Sequence, residues 1–165
     1  MMNNSSDKKD RIKALNPEKS FMVVAPAGSG KTRLLVKRIL VLLALVDNPE
    51  QVLAITFTRK AAKEMSEMVF EILEVARGDI SKETKVDSEL LVLAYPVVRR
   101  NEEKNWNIFD NQNRLRIQTI DSFCRNITNQ YALETELSAV LEPVDTAEIM
   151  YSDAALALFK GIEEN

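Results

Sequence analysis

The residues most able to do chemistry form one short run, Ala25 to Thr32, which reads Ala-Pro-Ala-Gly-Ser-Gly-Lys-Thr. The run fits the Walker A pattern of nucleotide-binding proteins, with alanine in place of the first glycine. Small residues let successive backbone N–H groups turn toward one anion, and a helix that begins directly behind them adds partial positive charge. In this interpretation Lys31 reaches the β- and γ-phosphates of a nucleotide and the Thr32 hydroxyl binds Mg²⁺.

A simpler interpretation of the same run is a Gly-Ser-Gly turn followed by an exposed lysine. The surroundings favour a phosphate loop, because that loop requires a strand before it and a helix behind it. The residues predicted to bind nucleotide are Ala25, Pro26, Ala27, Gly28, Ser29, Gly30, Lys31 and Thr32, with Lys31 and Thr32 also serving catalysis.

The elements around the loop are predicted from hydrophobic periodicity. Residues 21–25 have the length and β-rich content of a buried strand, and apolar residues then recur at helical spacing up to residue 46. A second buried strand is predicted over 51–57, followed by a helix over 61–76 that ends at Gly78. This βαβα order predicts an α/β fold with a parallel sheet covered by helices on both faces, and with ligands at the carboxyl ends of the strands.

The remainder of the chain is less regular. Residues 79–113 are polar and uneven, which predicts an insertion containing a helix over 86–98 that Pro96 breaks. Residues 115–120 alternate like a third strand, and Asp121 and Ser122 can cap a helix that runs to Gln130.

A capping box at residues 145–148, Asp-Thr-Ala-Glu, is expected to open a last helix.

Composition narrows the possible functions. A length of 165 residues leaves room for about one domain. One cysteine and no histidine exclude an internal disulfide framework, the Ser-His and Cys-His nucleophile pairs and the usual zinc ligands. The longest apolar run, residues 39–46, is too short to cross a bilayer, so we expect a cytoplasmic protein without a membrane partner.

Charge is distributed unevenly along the chain. Residues 1–64 hold 12 of the 22 Lys and Arg residues but 6 of the 25 Asp and Glu residues, although the net charge is only -3. A surface for nucleic acid is therefore expected to be local.

Three segments together resemble motifs I, Ia and Ib of superfamily 1A, UvrD/Rep-like DNA helicases. They are Ala25 to Thr32, Ile55 to Met65 (Ile-Thr-Phe-Thr-Arg-Lys-Ala-Ala-Lys-Glu-Met) and Gln118 to Cys124 (Gln-Thr-Ile-Asp-Ser-Phe-Cys). The order and spacing of the segments also match, and the likeness runs from about Asp10 to Phe159. It is greatest to the branch that contains the exonuclease V β-subunit-like proteins and the ATP-dependent helicase-nuclease A subunits.

The resemblance implies that the first segment binds ATP with Mg²⁺ and that the other two touch single-stranded or double-stranded DNA. The residues that it assigns to DNA are Thr56, Phe57, Thr58, Arg59 and Lys60 in motif Ia, and Thr119, Ser122 and Phe123 in motif Ib. These residue types suit the task, because a base can stack on Phe57 while hydroxyls, Arg59 and a helix N-terminus bind phosphates without reading sequence. Alternatively, Phe57 belongs to the core, and Lys60 and Lys63 lie on a solvated helix face.

Motif Ib departs from many relatives, which have a histidine where this chain has Asp121. An ionised aspartate cannot donate a hydrogen bond to phosphate, so Asp121 is expected to cap the following helix instead. Nearby basic residues either extend a basic groove or lie on a solvated surface; they are Arg114, Arg116 and Arg125.

Two expected features are missing from the sequence. No glutamine that could read adenine lies between Asp10 and Phe21, although Arg11 and Arg33 are candidates for that role. Motif II, an apolar strand that ends in Asp-Glu and holds Mg²⁺, has no counterpart.

We therefore expect a polar segment at 1–19, a partial RecA-like P-loop domain 1A at 20–130 with its insertion at 79–113, and the start of a helical 1B-like region at 131–165. The expected partners are the missing C-terminal helicase domains and a possible helicase-nuclease partner subunit.

The predicted function is that of the ATP-binding N-terminal segment of a 3′–5′ DNA helicase or helicase-nuclease subunit in recombination and repair. Without motif II and the second motor domain, the segment is expected not to hydrolyse ATP. Two alternatives are a non-catalytic nucleotide- or DNA-binding interaction module and a small P-loop phosphotransferase, although the acidic base that a phosphotransferase needs cannot be assigned.

Overall fold

The computed structural model describes residues 4–78 and 86–131 and, beyond them, residues 148, 151–152 and 154–156. The chain divides into two compact units, residues 1–125 and residues 126–165. In the second unit the described residues are helical. The capping box predicted at 145–148 lies, apart from Glu148, outside the described residues.

The main elements of the described residues 4–78 and 86–131 are five α-helices and two strands, with two short 3-10 helices at Pro49–Gln51 and Gln112–Arg114. In chain order they are α1 (Asn4–Lys13), α2 (Lys31–Leu43), β1 (Leu53–Thr56), α3 (Arg59–Arg77), α4 (Ser88–Glu103), β2 (Arg116–Thr119) and α5 (Ile120–Tyr131). The predicted helix over 61–76 is confirmed as α3, which ends at Gly78 in the left-handed conformation (φ 118°) that favours glycine. Helix α1 was not expected, because the sequence of residues 1–19 is polar.

The core forms where α2, α3 and α4 meet and where α3 packs on the strands. Its fully buried members come from all three helices, with Leu40 on α2, Leu73 on α3 and Val97 on α4. Two more large side chains enter from the turn behind α4; they are Trp106 and Ile108. The segment predicted to be an insertion thus supplies part of the core.

The turn that places Trp106 depends on asparagines. Asn105 and Asn107 both adopt positive φ, 52° and 55°, a conformation that asparagine tolerates better than most residues. The Asn101 carbonyl accepts from Trp106 N, and its side-chain Oδ1 accepts from Ile108 N. The indole Nε1 then donates to the Asp47 carbonyl at 2.7 Å, which satisfies the one polar atom of the buried ring.

The sheet has two strands in the described residues, and they are parallel. Thr56 of β1 stands opposite Thr119 of β2, so the carboxyl ends of both strands lie at the same edge. The α/β fold with a parallel sheet is therefore confirmed. The predicted covering of both faces is not found in the described part of the chain, because Leu53 and Ile55 stay exposed while α3 packs against the strands.

The strand predicted over 21–25 is wrong for this structure. Residues 21–26 have no regular secondary structure and pair with neither β1 nor β2. Met22 is 90% exposed and Val24 86% exposed, so the run is not buried. An apolar run of this length becomes a buried strand only when neighbouring strands saturate its backbone and helices cover its faces, and no described residue does so.

The predicted break at Pro96 is also wrong. Helix α4 continues through the proline to Glu103. Burial of Leu90 and Ala94 before the proline and of Val97 behind it holds both halves of the helix in the core. The proline cannot donate to the Val92 carbonyl, but Val92 lies on the exposed side, where water can take the place of the missing donor.

Arg114 has a structural role, so neither a basic groove nor a solvated surface, the two alternatives left open by the sequence, describes it. Its Nε donates to Glu50 Oε1 at 2.6 Å, and its Nη2 donates to Glu50 Oε2 at 3.1 Å. Its Nη1 donates to the Trp106 carbonyl. The guanidinium thus joins the turn before β1 to the turn that carries Trp106, and its hydrogen bond lowers the pKa of Glu50 below the ordinary value.

Replacing Glu50 by glutamine is expected to lower the free energy of unfolding by on the order of 1 kcal/mol at neutral pH, because it removes the charged half of a two-bond pair. A lowered carboxyl pKa in the folded state adds stability above the pKa of the unfolded chain, and that stability is lost as pH falls through the folded-state value. The difference between Glu50→Gln and the wild type should therefore shrink in acid, as measured by urea unfolding.

The control is Glu102→Gln, which changes an exposed glutamate on α4. We expect its effect to stay within about 0.5 kcal/mol at either pH. Equal losses in both variants would contradict the structural role of the Arg114 pair.

Candidate nucleotide and nucleic-acid site

The glycine loop has part of the backbone geometry expected of a phosphate loop, namely two left-handed glycines and a helix behind them, but no strand before it among the described residues. Gly28 and Gly30 adopt φ of 74° and 82°, which is the left-handed backbone conformation that residues with a Cβ rarely adopt. Gly30 is also the N-cap of α2, which begins at Lys31. The free N–H groups at the start of α2 therefore lie directly behind the loop, as the sequence predicts.

The side chains of the loop leave it able to accept an anion. Lys31 is exposed, and its Nζ donates to the Ala25 carbonyl at 2.5 Å and to the Pro26 carbonyl at 2.6 Å. Thr32 is exposed as well. The Ser29 Oγ is buried and has no hydrogen-bond partner among the described residues. A cationic group held by carbonyls of its own loop and an unpaired hydroxyl both suit a phosphate ligand with Mg²⁺.

The second and third sequence motifs meet at one edge of the sheet. Residues 57–60 follow β1 and residues 120–123 follow β2, and the register of Thr56 with Thr119 places the two turns side by side. Each turn leads into a helix, α3 or α5, whose first N–H groups face that edge.

At this edge Phe57 is 87% exposed, so the alternative that it belongs to the core is wrong. Thr58 is the N-cap of α3, with its Oγ1 accepting from Ala61 N at 3.2 Å. Arg59 and Lys60 are exposed in the first turn of that helix. Lys60 lies 3.9 Å from Glu64, a loose surface pair that leaves the ammonium accessible.

In motif Ib, Thr119 caps α5 in place of Asp121 and Ser122. The Thr119 Oγ1 accepts from Ser122 N at 3.2 Å, and the two hydroxyls lie 2.9 Å apart. The expected capping by Asp121 is wrong because the helix begins at Ile120, two residues before the start that an Asp121 cap would give, which places Asp121 within the first turn. Phe123 is half-buried on the same turn.

The glycine loop and the sheet edge are held by different elements. The expectation that both loops follow strands of one sheet is confirmed for residues 57–60. It is wrong for residues 26–32, because the segment before them does not pair with β1 or β2.

Two arginines that the sequence did not identify as anchors organise the region of the loop. Arg11 Nη2 donates to the Ser29 carbonyl at 2.7 Å. Arg38 Nη1 donates to the carbonyls of Ala14 and Asn16, at 2.6 and 3.0 Å. The sequence signal that could have identified Arg38 as an anchor is its position as a charged residue within the apolar pattern of α2. Arg11 gave none, because it lies among many charged residues.

Arg33, a candidate for adenine recognition, forms an ion pair with Asp87, the N-cap of α4. Its guanidinium thus joins α2 to α4.

Among the described residues no helix is both long enough and apolar enough to cross a membrane.

Comparison with known proteins places the chain in a family. Residues 6–164 match the model of the UvrD/REP helicase N-terminal domain, so the chain belongs to the UvrD/REP helicase family. The resemblance seen in the three sequence motifs is therefore confirmed.

The similar proteins include both helicases and helicase-nucleases. DNA helicase II of Salmonella typhimurium is 32% identical over 114 residues, which are 68% of this chain and 16% of the helicase. The A subunit of the ATP-dependent helicase/nuclease of Moorella thermoacetica is 30% identical over 144 residues, 85% of this chain and 9% of the relative. ATP-dependent DNA helicase PcrA of Bacillus subtilis is 39% identical over 98 residues, 59% and 13% of the two chains. The chain thus matches only a small part of each relative.

The exposure of Phe57 gives a test of its role in folding. Phe57→Ala is expected to change the free energy of unfolding by less than about 0.5 kcal/mol, because an exposed ring leaves no cavity. Leu73→Ala, at a fully buried position of α3, should cost about 2 to 5 kcal/mol. Chemical denaturation of both variants measures the contrast, and a loss at Phe57 as large as that at Leu73 would return Phe57 to the core.

Proposed function

We propose that this chain is the ATP-binding N-terminal segment of a 3′–5′ DNA helicase or helicase-nuclease subunit in recombination and repair. The observation that carries the proposal is the family membership. It is supported by a loop with left-handed Gly28 and Gly30 at the start of α2 and by a sheet edge where the segments resembling motifs Ia and Ib meet. The polarity follows from the resemblance to UvrD/Rep-like helicases. The segment is proposed to be part of a RecA-like domain 1A that functions with further motor domains.

ATP with Mg²⁺ is the proposed ligand of the loop from Ala25 to Thr32. Left-handed Gly28 and Gly30 open the loop, the start of α2 supplies N–H groups, and the Ser29 hydroxyl has no partner among the described residues. Lys31 would exchange its two carbonyl acceptors for phosphate oxygens, and Thr32 would supply a hydroxyl to the metal. Bound Mg²⁺ would neutralise charge on the phosphates.

Binding without hydrolysis is proposed for the isolated chain. Hydrolysis in this class needs a carboxylate that holds Mg²⁺ and activates water, and the sequence contains no Asp-Glu pair at the end of an apolar strand. The loop by itself positions phosphates but supplies no such base.

Lys31→Ala is expected to abolish binding of a fluorescent ATP analogue in the presence of Mg²⁺, because it removes the cation of the loop. The free energy of unfolding should change little, since Lys31 is exposed and contacts only carbonyls of its own loop. Fluorescence titration and urea unfolding measure the two effects. Lys9→Ala, which removes an exposed cation from α1, is the control and should bind like the wild type. Unchanged affinity in Lys31→Ala would overturn the assignment of the loop.

Single-stranded DNA is the proposed ligand of the sheet edge formed by residues 56–60 together with Ser122 and Phe123. Thr119, predicted from the sequence to touch DNA, is buried with its hydroxyl bonded to Ser122, so its proposed role is to hold the turn at this edge. The exposed Phe57 ring offers a stacking surface, and Arg59 and Lys60 stand at the N-terminus of α3. The carboxyl end of a parallel sheet is also where α/β proteins usually bind ligands. Contacts from Arg59, Lys60 and helix N–H groups to phosphates carry no sequence information, so the binding is expected to be non-specific.

Phe57→Ala is expected to weaken oligonucleotide binding by about 1 to 3 kcal/mol, the usual contribution of one stacked base. Tyr95→Ala removes another exposed aromatic ring, one that lies on α4 and not in residues 56–60 or 119–123, and should leave affinity unchanged. Fluorescence anisotropy with a labelled oligothymidylate measures both variants. Equal affinity of wild type and Phe57→Ala would contradict stacking at this position.

Arg59→Ala tests the phosphate contact separately. The variant should reduce the slope of the logarithm of affinity against the logarithm of salt concentration by about 0.7, the value for one contact to a single strand. A variant with weaker binding but an unchanged salt slope would show that Arg59 does not contact phosphate.

A further inference from the structure

Arg11 joins the N-terminal helix to the glycine loop through one rigid group. Its Nε donates to Asp7 Oδ2 at 2.8 Å within α1, and its Nη2 donates to the Ser29 carbonyl at 2.7 Å. Its Nη1 lies 3.6 Å from the point that a Cβ on Gly30 would occupy. The planar guanidinium therefore fixes the distance and angle between α1 and the peptide group that links Ser29 to Gly30.

Helix α1 is itself held in place by α2. Arg38 donates to three carbonyls in the segment that leads out of α1, at Ala14, Asn16 and Lys19. The guanidinium of Arg38 also lies 5.4 Å from the centre of the Phe21 ring, just before the loop. Arg11 therefore acts from a helix that is anchored independently of the loop.

The contact with the Ser29 carbonyl sets the direction of an N–H group. In a trans peptide the C=O and the following N–H point to opposite sides, and the described residues contain no cis peptide. With the Ser29 carbonyl turned toward Arg11, the Gly30 N–H is turned away from α1. Rotation of this peptide is otherwise easy on its carboxyl side, because Gly30 has no Cβ to restrict its φ.

We propose that Arg11 is a positioning residue that presets the phosphate loop by holding the Ser29–Gly30 peptide in one orientation before nucleotide binds. The proposal rests on the proposed function of the loop as a nucleotide site. Arg11 acts through the loop backbone, so α1 becomes a structural part of the site although none of its residues belongs to the glycine motif. Without this contact the peptide can rotate in the free protein. Binding of nucleotide must then also order the peptide, and this entropic cost lowers the affinity.

The full chain contains only four glycines, at positions 28, 30, 78 and 161, so labelling with ¹⁵N-glycine gives one backbone amide signal for each. Arg11→Ala is expected to shift the Gly30 signal and to leave the Gly78 signal, at the distant end of α3, in place. Affinity for a fluorescent ATP analogue with Mg²⁺ should fall about fivefold, the effect of losing one hydrogen bond that orders the site. An unshifted Gly30 signal, or equal or higher affinity, would overturn the proposal.

Two further variants separate position from charge and from folding. Arg11→Lys keeps the positive charge but cannot bond Asp7 and Ser29 with one planar fork, so it should behave like Arg11→Ala. Full recovery of affinity with lysine would show that the charge acts at a distance, against the proposal. Lys9→Ala removes an exposed cation from the same helix and should change neither signal nor affinity.

The two proposals fail in different ways. If the wild type binds no ATP analogue, or if Lys31→Ala binds as well as the wild type, the nucleotide site itself is wrong. The Gly30 signal still reports whether Arg11 orients the loop, because that measurement needs no nucleotide. If Lys31→Ala abolishes binding while Arg11→Ala leaves both readouts unchanged, the site stands and the positioning role of Arg11 is wrong.

Discussion

Burial of the apolar side of α3 is the interaction on which the rest of the structure depends. This helix packs against α2, α4 and both strands, so it joins the helical layer to the sheet. Its buried residues include Val69 and Leu73, which are fully inaccessible to solvent. Burial of apolar surface, which contributes about 25 cal/mol of stability per Å², is the main source of stability in such a layer. Thr58 and Gly78 mark the two ends of the helix, so its N-terminus is fixed at the edge where β1 ends.

This arrangement explains why the candidate DNA edge is open and yet ordered. The buried face of α3 fixes the direction of the helix, while its first residues, Arg59 and Lys60, extend past the core. Parallel pairing of β1 and β2 then brings the turn behind Thr119 to the same edge. A rigid base with an exposed aromatic ring is well suited to a ligand whose bases stack.

Arginine side chains hold the irregular segments to this core. Arg38 binds carbonyls of the segment between α1 and the glycine loop, and Arg114 joins Glu50 to the turn at Trp106. Arg100 donates to the Val46 carbonyl behind α2 and lies 3.2 Å from Asp47. In each case a planar cation with several donors satisfies backbone carbonyls that have no partner in a helix or sheet. Arg11 contacts the glycine loop in the same way, because its Nη2 donates to the Ser29 carbonyl.

The sequence by itself determined the elements whose signals are local. The left-handed glycines at 28 and 30, helices α2 and α3, and the end of α3 at Gly78 could all be predicted from the sequence. Backbone sterics and hydrophobic periodicity determine these features, and both depend on residues that are close together in the chain. The motifs around Lys31 and Phe57 identified the helicase family for the same reason, since their residue types and spacing are readable without contacts.

Tertiary structure decided what depends on partners that are distant in the chain. Residues 21–25 carry the composition of a buried strand, but a strand requires neighbours to complete its hydrogen bonds, and β1 and β2 pair with each other instead. Pro96 stays within a helix because burial on both sides outweighs one lost hydrogen bond. From the sequence, Arg114 was a candidate for a basic groove or a solvated surface, and Arg11 was a candidate for adenine recognition. Their roles are set by carbonyls and carboxylates that only the folded chain brings within 3 Å of their nitrogens.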